Sequence, residues 1–237
     1  MSVSRMRVVV TAGPTREHLD PVRFLSNPST GKMGFAVAAE AARRGHEVVL
    51  VAGPVALKTP RGVKRVDVVS AREMLAAATA AVDSAPRSAP LAFVGVAAVA
   101  DWRPRRRAAK KLKKREMSGT LELVRNPDVL KSIGARLRRA GRKDAVLVGF
   151  AAETGSPIAE AARKCREKRL AFTVANDVAE KGSGFGSDSN RVAFVRADGS
   201  SVRLPLMSKQ AVARRIVGEI ERLLVDEVRC IDMETQF

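Results

Sequence analysis

MRVVVTA, Met6–Ala12, then GPTREHLDPVRFLSNPSTGKMG, Gly13–Gly34, then FAVAAEAARRG, Phe35–Gly45, is the stretch that decides the fold. The first segment is apolar on both faces, as a strand is when its sheet is covered on both sides. The third carries apolar residues at helical spacing from Phe35 to Arg44 and closes at Gly45, a C-cap residue. The pattern then repeats. VVLVAG (Val48–Gly53) and VKRVDVV (Val63–Val69) read as strands, an alanine-rich helix runs from about Ala71 to Val82, and LAFVGVAAVA (Leu91–Ala100) is a further strand. Apolar strands separated by helices predict an α/β protein: a Rossmann-like three-layer fold with a central, mostly parallel sheet.

The connection between the first strand and the first helix, Gly13–Gly34 by pattern, is longer than most α/β loops. It leaves the carboxyl end of a parallel strand, where open α/β sheets bind ligands. Its last part, SNPSTGKMG (Ser26–Gly34), combines glycines, hydroxyls, an amide and a lysine ahead of a helix. Unpaired N–H groups and a positive helix end there suit a phosphate or carboxylate, and an ordinary helix entry explains the same residues. The Walker A spacing is absent, and so is the GxGxxG fingerprint. VVLVAG also ends without an acidic ribose ligand, which counts against an NAD(P) oxidoreductase.

With 237 residues, 46% hydrophobic and 29% charged, the chain reads as one globular domain over residues 1–237. No apolar run reaches the roughly 18 residues that span a bilayer, and no signal-peptide pattern precedes the first strand, so a cytoplasmic address and no membrane partner are expected. Cys165 and Cys230 are too few for a disulfide framework or a cysteine metal cluster, and His18 and His46 too few for a histidine zinc site. The formal charge of +18 admits nucleic acid, anionic lipid or a small polyanion as ligand. A chain with no tyrosine, one tryptophan and no recognition element is not expected to bind a specific nucleic acid, although a salt-sensitive basic binder without catalysis remains a competing reading.

Arg103 to Arg115 holds nine lysines or arginines in thirteen residues with no acid between them. Such repulsion predicts a solvated flap, about residues 103–120, that either stays an exposed loop or orders on a polyanion. In NPDVL (Asn126–Leu130) the proline fixes an extended entry and Asp128 can cap a following helix. VLVGFAAET (Val146–Thr154) reads as a strand in which Phe150 suits the core. Ser156 and Pro157 look like the start of a helix reaching about Arg169, on which Lys164 and Lys168 share a face with Glu160 one turn earlier. AFTVAND (Ala171–Asp177) is another strand and KGSGFGSDSN (Lys181–Asn190) a flexible loop. A small C-terminal β-hairpin turning at Asp198 and Gly199 and a helix from Ser208 to about Leu224 occupy roughly residues 190–225, and Cys230–Phe237 reads as a tail.

Seven segments occur in a fixed order: TAGPTREHLDPVRFLSNPSTGKMG, AAVADWRP, KLKK, NPDVL, GFAAET, ANDV and GFGSDSNRV. Together, over roughly Arg5 to Leu224, they resemble phosphopantothenoylcysteine synthetase, a coenzyme A pathway ligase often found as the C-terminal half of a bifunctional flavoprotein. The resemblance implies that 4′-phosphopantothenate is activated by a nucleoside triphosphate and then joined to cysteine. It implies CTP, as in the bacterial enzymes, with ATP as the alternative, and Mg²⁺ or Mn²⁺ as the metal, with ligands that the sequence does not identify. By the same resemblance Asn27 and Lys111 are catalytic. Gly95, Val96, Ala97, Asp101, Lys111, Asn126, Pro127, Asp128, Val129, Phe150, Lys164 and Lys168 contact the nucleotide. A homodimer is implied, and a separate decarboxylase is the further partner, because the flavin-dependent half is missing. The chain is accordingly expected to be either a free-standing synthetase or a fragment cut at the domain boundary.

Overall fold

A computed structural model describes residues 5–116, 119–155, 157–177 and 186–234. In chain order the elements are β1 (Arg7–Ala12), β2 (Arg16–His18), β3 (Phe24–Ser26), α1 (Lys32–Arg43), β4 (Glu47–Ala52), β5 (Val63–Asp67), α2 (Ala71–Asp83) and β6 (Leu91–Gly95). There follow β7 (Trp102–Pro104), a single 3₁₀ turn (Lys114–Glu116), β8 (Leu123–Arg125), α3 (Val129–Arg139), β9 (Ala145–Glu153) and α4 (Pro157–Lys168). The chain ends with β10 (Phe172–Asp177), β11 (Ser189–Asn190), β12 (Ala193–Val195), β13 (Ser201–Arg203), β14 (Met207–Ser208) and α5 (Lys209–Glu234).

Eight strands form the main sheet in the order β13-β12-β10-β9-β6-β1-β4-β5. The six from β10 to β5 are parallel, and the β12–β13 hairpin adds an antiparallel edge. β1 shows why both faces had to be apolar. Val8 and Val10 point into a core shared with α1 and α5, whereas Val9 points into a second core under α2 and α3. The chain runs outward from β1 through β4 to β5, then returns to the other side of β1 with β6. That reversal opens a crevice at the carboxyl ends of β1 and β6, the place where open parallel sheets receive ligands.

Several boundaries differ from the sequence reading. α1 begins at Lys32, one turn before Phe35, because Gly31 takes φ 78° and lets the chain enter the helix there. β6 ends at Gly95, and residues 96–98 continue beside residues 11–14 through Val96 N–H to Thr11 O (3.2 Å) and Ala98 N–H to Gly13 O (3.0 Å). α5 runs on to Glu234, so most of the expected tail is helical; no glycine or proline stands after Gly218 to stop it. Ser156 and residues 181–185 of the expected flexible loop lie outside the described residues.

Two short hairpins were not legible as strands. β2 pairs with β3 and β7 with β8, each with a three-residue register, and Val22, Phe24, Trp102, Leu121 and Leu123 on and beside them are exposed. The basic flap is the long connection of the second hairpin. It is stitched down by Arg105 N–H to Glu122 O (2.9 Å) and Ala108 N–H to Leu19 O (2.8 Å), so its cations are spread along an anchored loop.

α1 is locked to α5 by charge. Glu40, 8% exposed, accepts from Arg43 and Arg44, and Arg44 also reaches Glu221 on α5. The Arg43 hydrogen bond first, then that of Arg44, outweigh desolvation and hold the Glu40 carboxyl at about 2. A depressed carboxylate stabilises the fold fully above its unfolded value of about 4.5 and loses that contribution as pH falls toward 2. Glu40→Gln should therefore lower the unfolding free energy by about 2 kcal/mol at pH 6 and by nearly nothing near pH 2. Urea unfolding at both pH values checks this; an unchanged difference would remove Glu40 as the acid-sensitive lock.

Candidate functional site

The crevice at the carboxyl end of the sheet holds a cleft of about 480 Å³. Its floor follows from strand ends: Thr11 and Gly13 at the end of β1, Gly95 to Asp101 from the last residue of β6 onward, and Phe150 and Ala152 on β9. Glycine at 53 is obligatory for this floor, since a Cβ there would stand 1.7 Å from the Pro14 carbonyl oxygen. Residues 96–101 are held against the β1 loop by side chains as well. Ala97 N–H donates to Thr11 Oγ1 (3.3 Å) and Ala100 N–H to Thr15 Oγ1 (3.0 Å).

One wall is SNPSTGKMG running into α1. Ser26 Oγ donates to Thr15 O (2.8 Å), Ser29 N–H to Asn27 O (2.8 Å) and Gly31 N–H to Ser29 Oγ (3.3 Å), so the loop is a chain of local bonds. The Gly31 cap brings no side chain to the first turn of α1, and no acid follows in that turn, which leaves its N–H groups and positive end facing the cleft. Asn27 lines the cleft, and its amide nitrogen donates to Ala98 O and Val99 O, both at 3.2 Å. Donation to a substrate carbonyl requires that one of these bonds be exchanged.

The opposite wall is the start of α3 with the face of α4. Asp128 caps α3 through Lys131 N–H (2.9 Å), as its position in NPDVL implies. Asn126 fastens the segment, its amide donating to Ala100 O (2.8 Å) and its N–H to Asp101 O (2.8 Å). Lys168 pairs with Asp128 at 2.7 Å and Lys164 with Glu153 at 2.6 Å, with Glu160 farther off at 3.8 Å. The like charges on α4 are thus offset mainly from β9 and α3, and only weakly by Glu160.

Gly95, Val96, Ala97, Asp101, Asn126, Pro127, Asp128, Val129, Phe150, Lys164, Lys168 and Asn27 all line this one cleft. Lys111 is the exception: it is exposed on the basic loop and does not line the cleft. Polar residues that the sequence reading did not name as site residues line it too, among them two lysines and two asparagines. Lys32 opens α1 and bonds Asp188 (2.7 Å) and Gly186 O (3.0 Å); Lys209 opens α5; Asn176 stands next to the last residue of β10; Asn190 sits in β11. Burial pushes the Lys209 ammonium down, the neighbouring Lys32 charge adds to this, and Asp188 opposes it. Lys32 lay inside the quoted helix-entry loop and was findable. The other three come from remote segments that only the fold brings together.

Among the described residues no group of three His, Cys, Asp or Glu side chains is placed to hold a metal, and no helix is long and apolar enough to cross a membrane. Asp101 is an exposed carboxylate on the cleft, suited to a hard cation that takes its other ligands from phosphate oxygens and water.

Fold and cleft define an α/β protein of Rossmann-like type whose ligand crevice is lined by lysines, amides and a free helix end. The chain belongs to the family of DNA/pantothenate metabolism flavoprotein C-terminal domains, which it matches over residues 3–224. It is 45% identical over 223 residues to the coenzyme A biosynthesis bifunctional protein CoaBC of Escherichia coli (strain K12), covering 92% of this chain and 52% of that protein. Against the same-named protein of Bacillus subtilis (strain 168) it is 43% identical over 217 residues, covering 91% and 51%. The chain thus spans about half the length of the curated relatives it matches. The crystal structure of the C-terminal domain of a CoaBC protein superposes with a TM-score of 0.76 at 39% identity, covering 95% of this chain and 98% of that one. A Cab2 mutant in complex with phosphopantothenate-cysteine shares the fold, with a TM-score of 0.71 at 17% identity and coverage of 94% and 89%.

Proposed function

We propose that this chain is a phosphopantothenate–cysteine ligase of coenzyme A biosynthesis that uses CTP. The carboxylate of 4′-phosphopantothenate attacks the α-phosphate of CTP, forming the acyl–phosphate bond and releasing pyrophosphate. The amine of cysteine then attacks the acyl carbonyl, CMP leaves with the electron pair of the broken C–O bond, and the nitrogen gives up a proton as the amide forms. Activation is needed because a free carboxylate has only oxide to expel, a far worse leaving group than CMP.

The observation that carries the reading is the meeting of Asn27, Asp101, the Asn126–Val129 segment, Lys164 and Lys168 in one cleft. Two polyanions must be brought together there, and the cleft offers cations on both walls: Lys164 and Lys168 on one, Lys32 and Lys209 with the end of α1 on the other. Asn27, swung from Ala98 or Val99, can donate to the acyl carbonyl. Mg²⁺, or Mn²⁺ in its place, would neutralise triphosphate oxygens, with Asp101 as the protein carboxylate in reach. CTP is preferred over ATP because the KLKK and NPD segments resemble the bacterial enzymes. We place the activity in the cytoplasm, where CTP and cysteine are at hand. The exposed apolar residues on the two small hairpins offer a face for a homodimer; a sedimentation mass of 25.5 kDa would remove the dimer from this reading.

The test is pyrophosphate release with Mg²⁺, 4′-phosphopantothenate and cysteine, comparing CTP with ATP and omitting each substrate in turn. Release that requires phosphopantothenate supports the ligase, and the faster triphosphate identifies the base. Folded protein that releases none, yet binds RNA in a salt-dependent way, would replace this reading by that of a basic nucleic-acid binder.

A further inference from the structure

Lys111 stands outside the cleft, and the structure shows what holds it there. The tight turn between β2 and β3 is built around Asp20, whose side chain is fully buried. Its Oδ1 accepts Val22 N–H (2.8 Å) and Arg23 N–H (2.9 Å). Its Oδ2 accepts Arg23 Nε (3.0 Å) and Nη2 (2.5 Å), and also the backbone N–H of Leu112 (3.2 Å). Arg23 Nη2 completes the clasp by donating to Leu112 O (2.8 Å). Both backbone groups of the residue next to Lys111 are therefore gripped by one carboxylate–guanidinium pair. A further bond ties this turn to the flap, Ala108 N–H to Leu19 O. Burial raises the Asp20 carboxyl, but the Arg23 side chain and the three backbone donors outweigh it and hold it well below the usual carboxylate range.

We infer that Asp20 is a positioning residue for Lys111: with Arg23 it pins the backbone at Leu112 and so fixes the pivot from which Lys111 reaches the substrate. This rests on the ligase reading and on the catalytic role that the family resemblance implies for Lys111. The geometry of the clasp stands apart from it. A lysine on a free loop of nine cations would sample many placements, repelled by its neighbours, and would lose entropy again at each turnover. A pinned pivot removes most of that freedom beforehand.

Asp20→Asn separates the two halves of the carboxylate. The amide oxygen can keep the turn through Val22 and Arg23, while the NH₂ group faces three donors where Oδ2 accepted them, so the grip on Leu112 is what fails. Steady-state kinetics of pyrophosphate release should show kcat/KM falling by about 10²-fold. In a Lys111→Ala background the same change should cost less than about threefold, because a residue that acts through Lys111 has nothing left to position. Equal losses in both backgrounds would overturn the inference. Amide exchange on the unmutated protein is independent of folding of any variant and of catalysis. Leu112 N–H should exchange more slowly than Lys110 and Lys111 N–H, and equal rates would also overturn it. Slow exchange at Leu112 in a protein that releases no pyrophosphate would retain the clasp and reject the ligase reading.

Discussion

Changing Lys164 and Lys168 together to Ala is expected to lower kcat/KM for CTP-dependent pyrophosphate release by at least about 10³-fold. Each lysine is held at rest by a carboxylate, Glu153 or Asp128, with the lysine side chains 27% and 21% exposed. Pairs with that much solvent access are worth only about 1 kcal/mol. A triphosphate carries several charges and presents more acceptor oxygens, so exchanging one carboxylate for it is downhill. The pairs therefore keep the two ammonium groups aimed without committing them. Removing the lysines does more than delete two cations, since Glu153 and Asp128 are left as uncompensated anions where, on the proposed ligase reading, a polyanion docks. It follows that Glu153→Gln added to Lys164→Ala should recover about tenfold of the loss. Asp128→Asn is a poorer companion, because that carboxylate also caps α3. Retention of activity within about threefold in the double lysine variant would place the triphosphate elsewhere in the cleft.

The parallel core was readable because its cause is local: β1, β4 and β6 are apolar on both faces, and the helices between them carry a 3.6-residue period. The C-terminal hairpin was readable from Asp198-Gly199, although its place on the main sheet next to β10 was not, since pairing partners leave no trace in a single strand. β2, β3, β7 and β8 are three residues long and exist because they pair, so a loop was the only local reading of them. The site divides the same way. Asp128 as a cap and SNPSTGKMG as an anion-ready helix entry follow from residue chemistry. The convergence of Asn27 with Lys164 came only from resemblance to a known family, and Asn176, Asn190 and Lys209 were invisible because a site residue from a remote strand or helix end looks like any amide or lysine. The resting partners Glu153 and Asp128 needed coordinates: periodicity pointed to Glu160, one turn away on the same helix, while the sheet supplied the nearer carboxylates.

Gly34→Ala should damage both fold and activity, against the usual sign for such a change in a helix. In an ordinary helix interior Ala is favoured over Gly by about 0.5–1 kcal/mol. Gly218 in α5 is such a place: a Cβ there meets nothing nearer than the Arg44 guanidinium nitrogens at 3.8 and 3.9 Å, so Gly218→Ala should gain about 0.5–1 kcal/mol in urea unfolding. At Gly34 the added Cβ would stand 2.5 Å from Ala12 Cβ and 3.1 Å from Ala12 Cα, with the Thr11 carbonyl oxygen at 3.2 Å. Those atoms cannot give way, because Thr11 is the last interior position of β1 and its carbonyl and hydroxyl are both occupied, by Val96 N–H and Ala97 N–H. The helix must move instead, and its first turn carries Lys32 and the free N–H groups that face the cleft. Overpacking of this kind costs about 1–3 kcal/mol, and, on the proposed ligase reading, a shift of about 1 Å at a site that positions two substrates costs about 10²-fold in rate. If Gly34→Ala were as benign as Gly218→Ala, α1 would not be seated on β1 closely enough to serve as a fixed wall of the cleft. A loss at Gly34 beside a gain at Gly218 isolates the close helix–strand approach as its cause, since both changes add the same methyl group to a helical glycine.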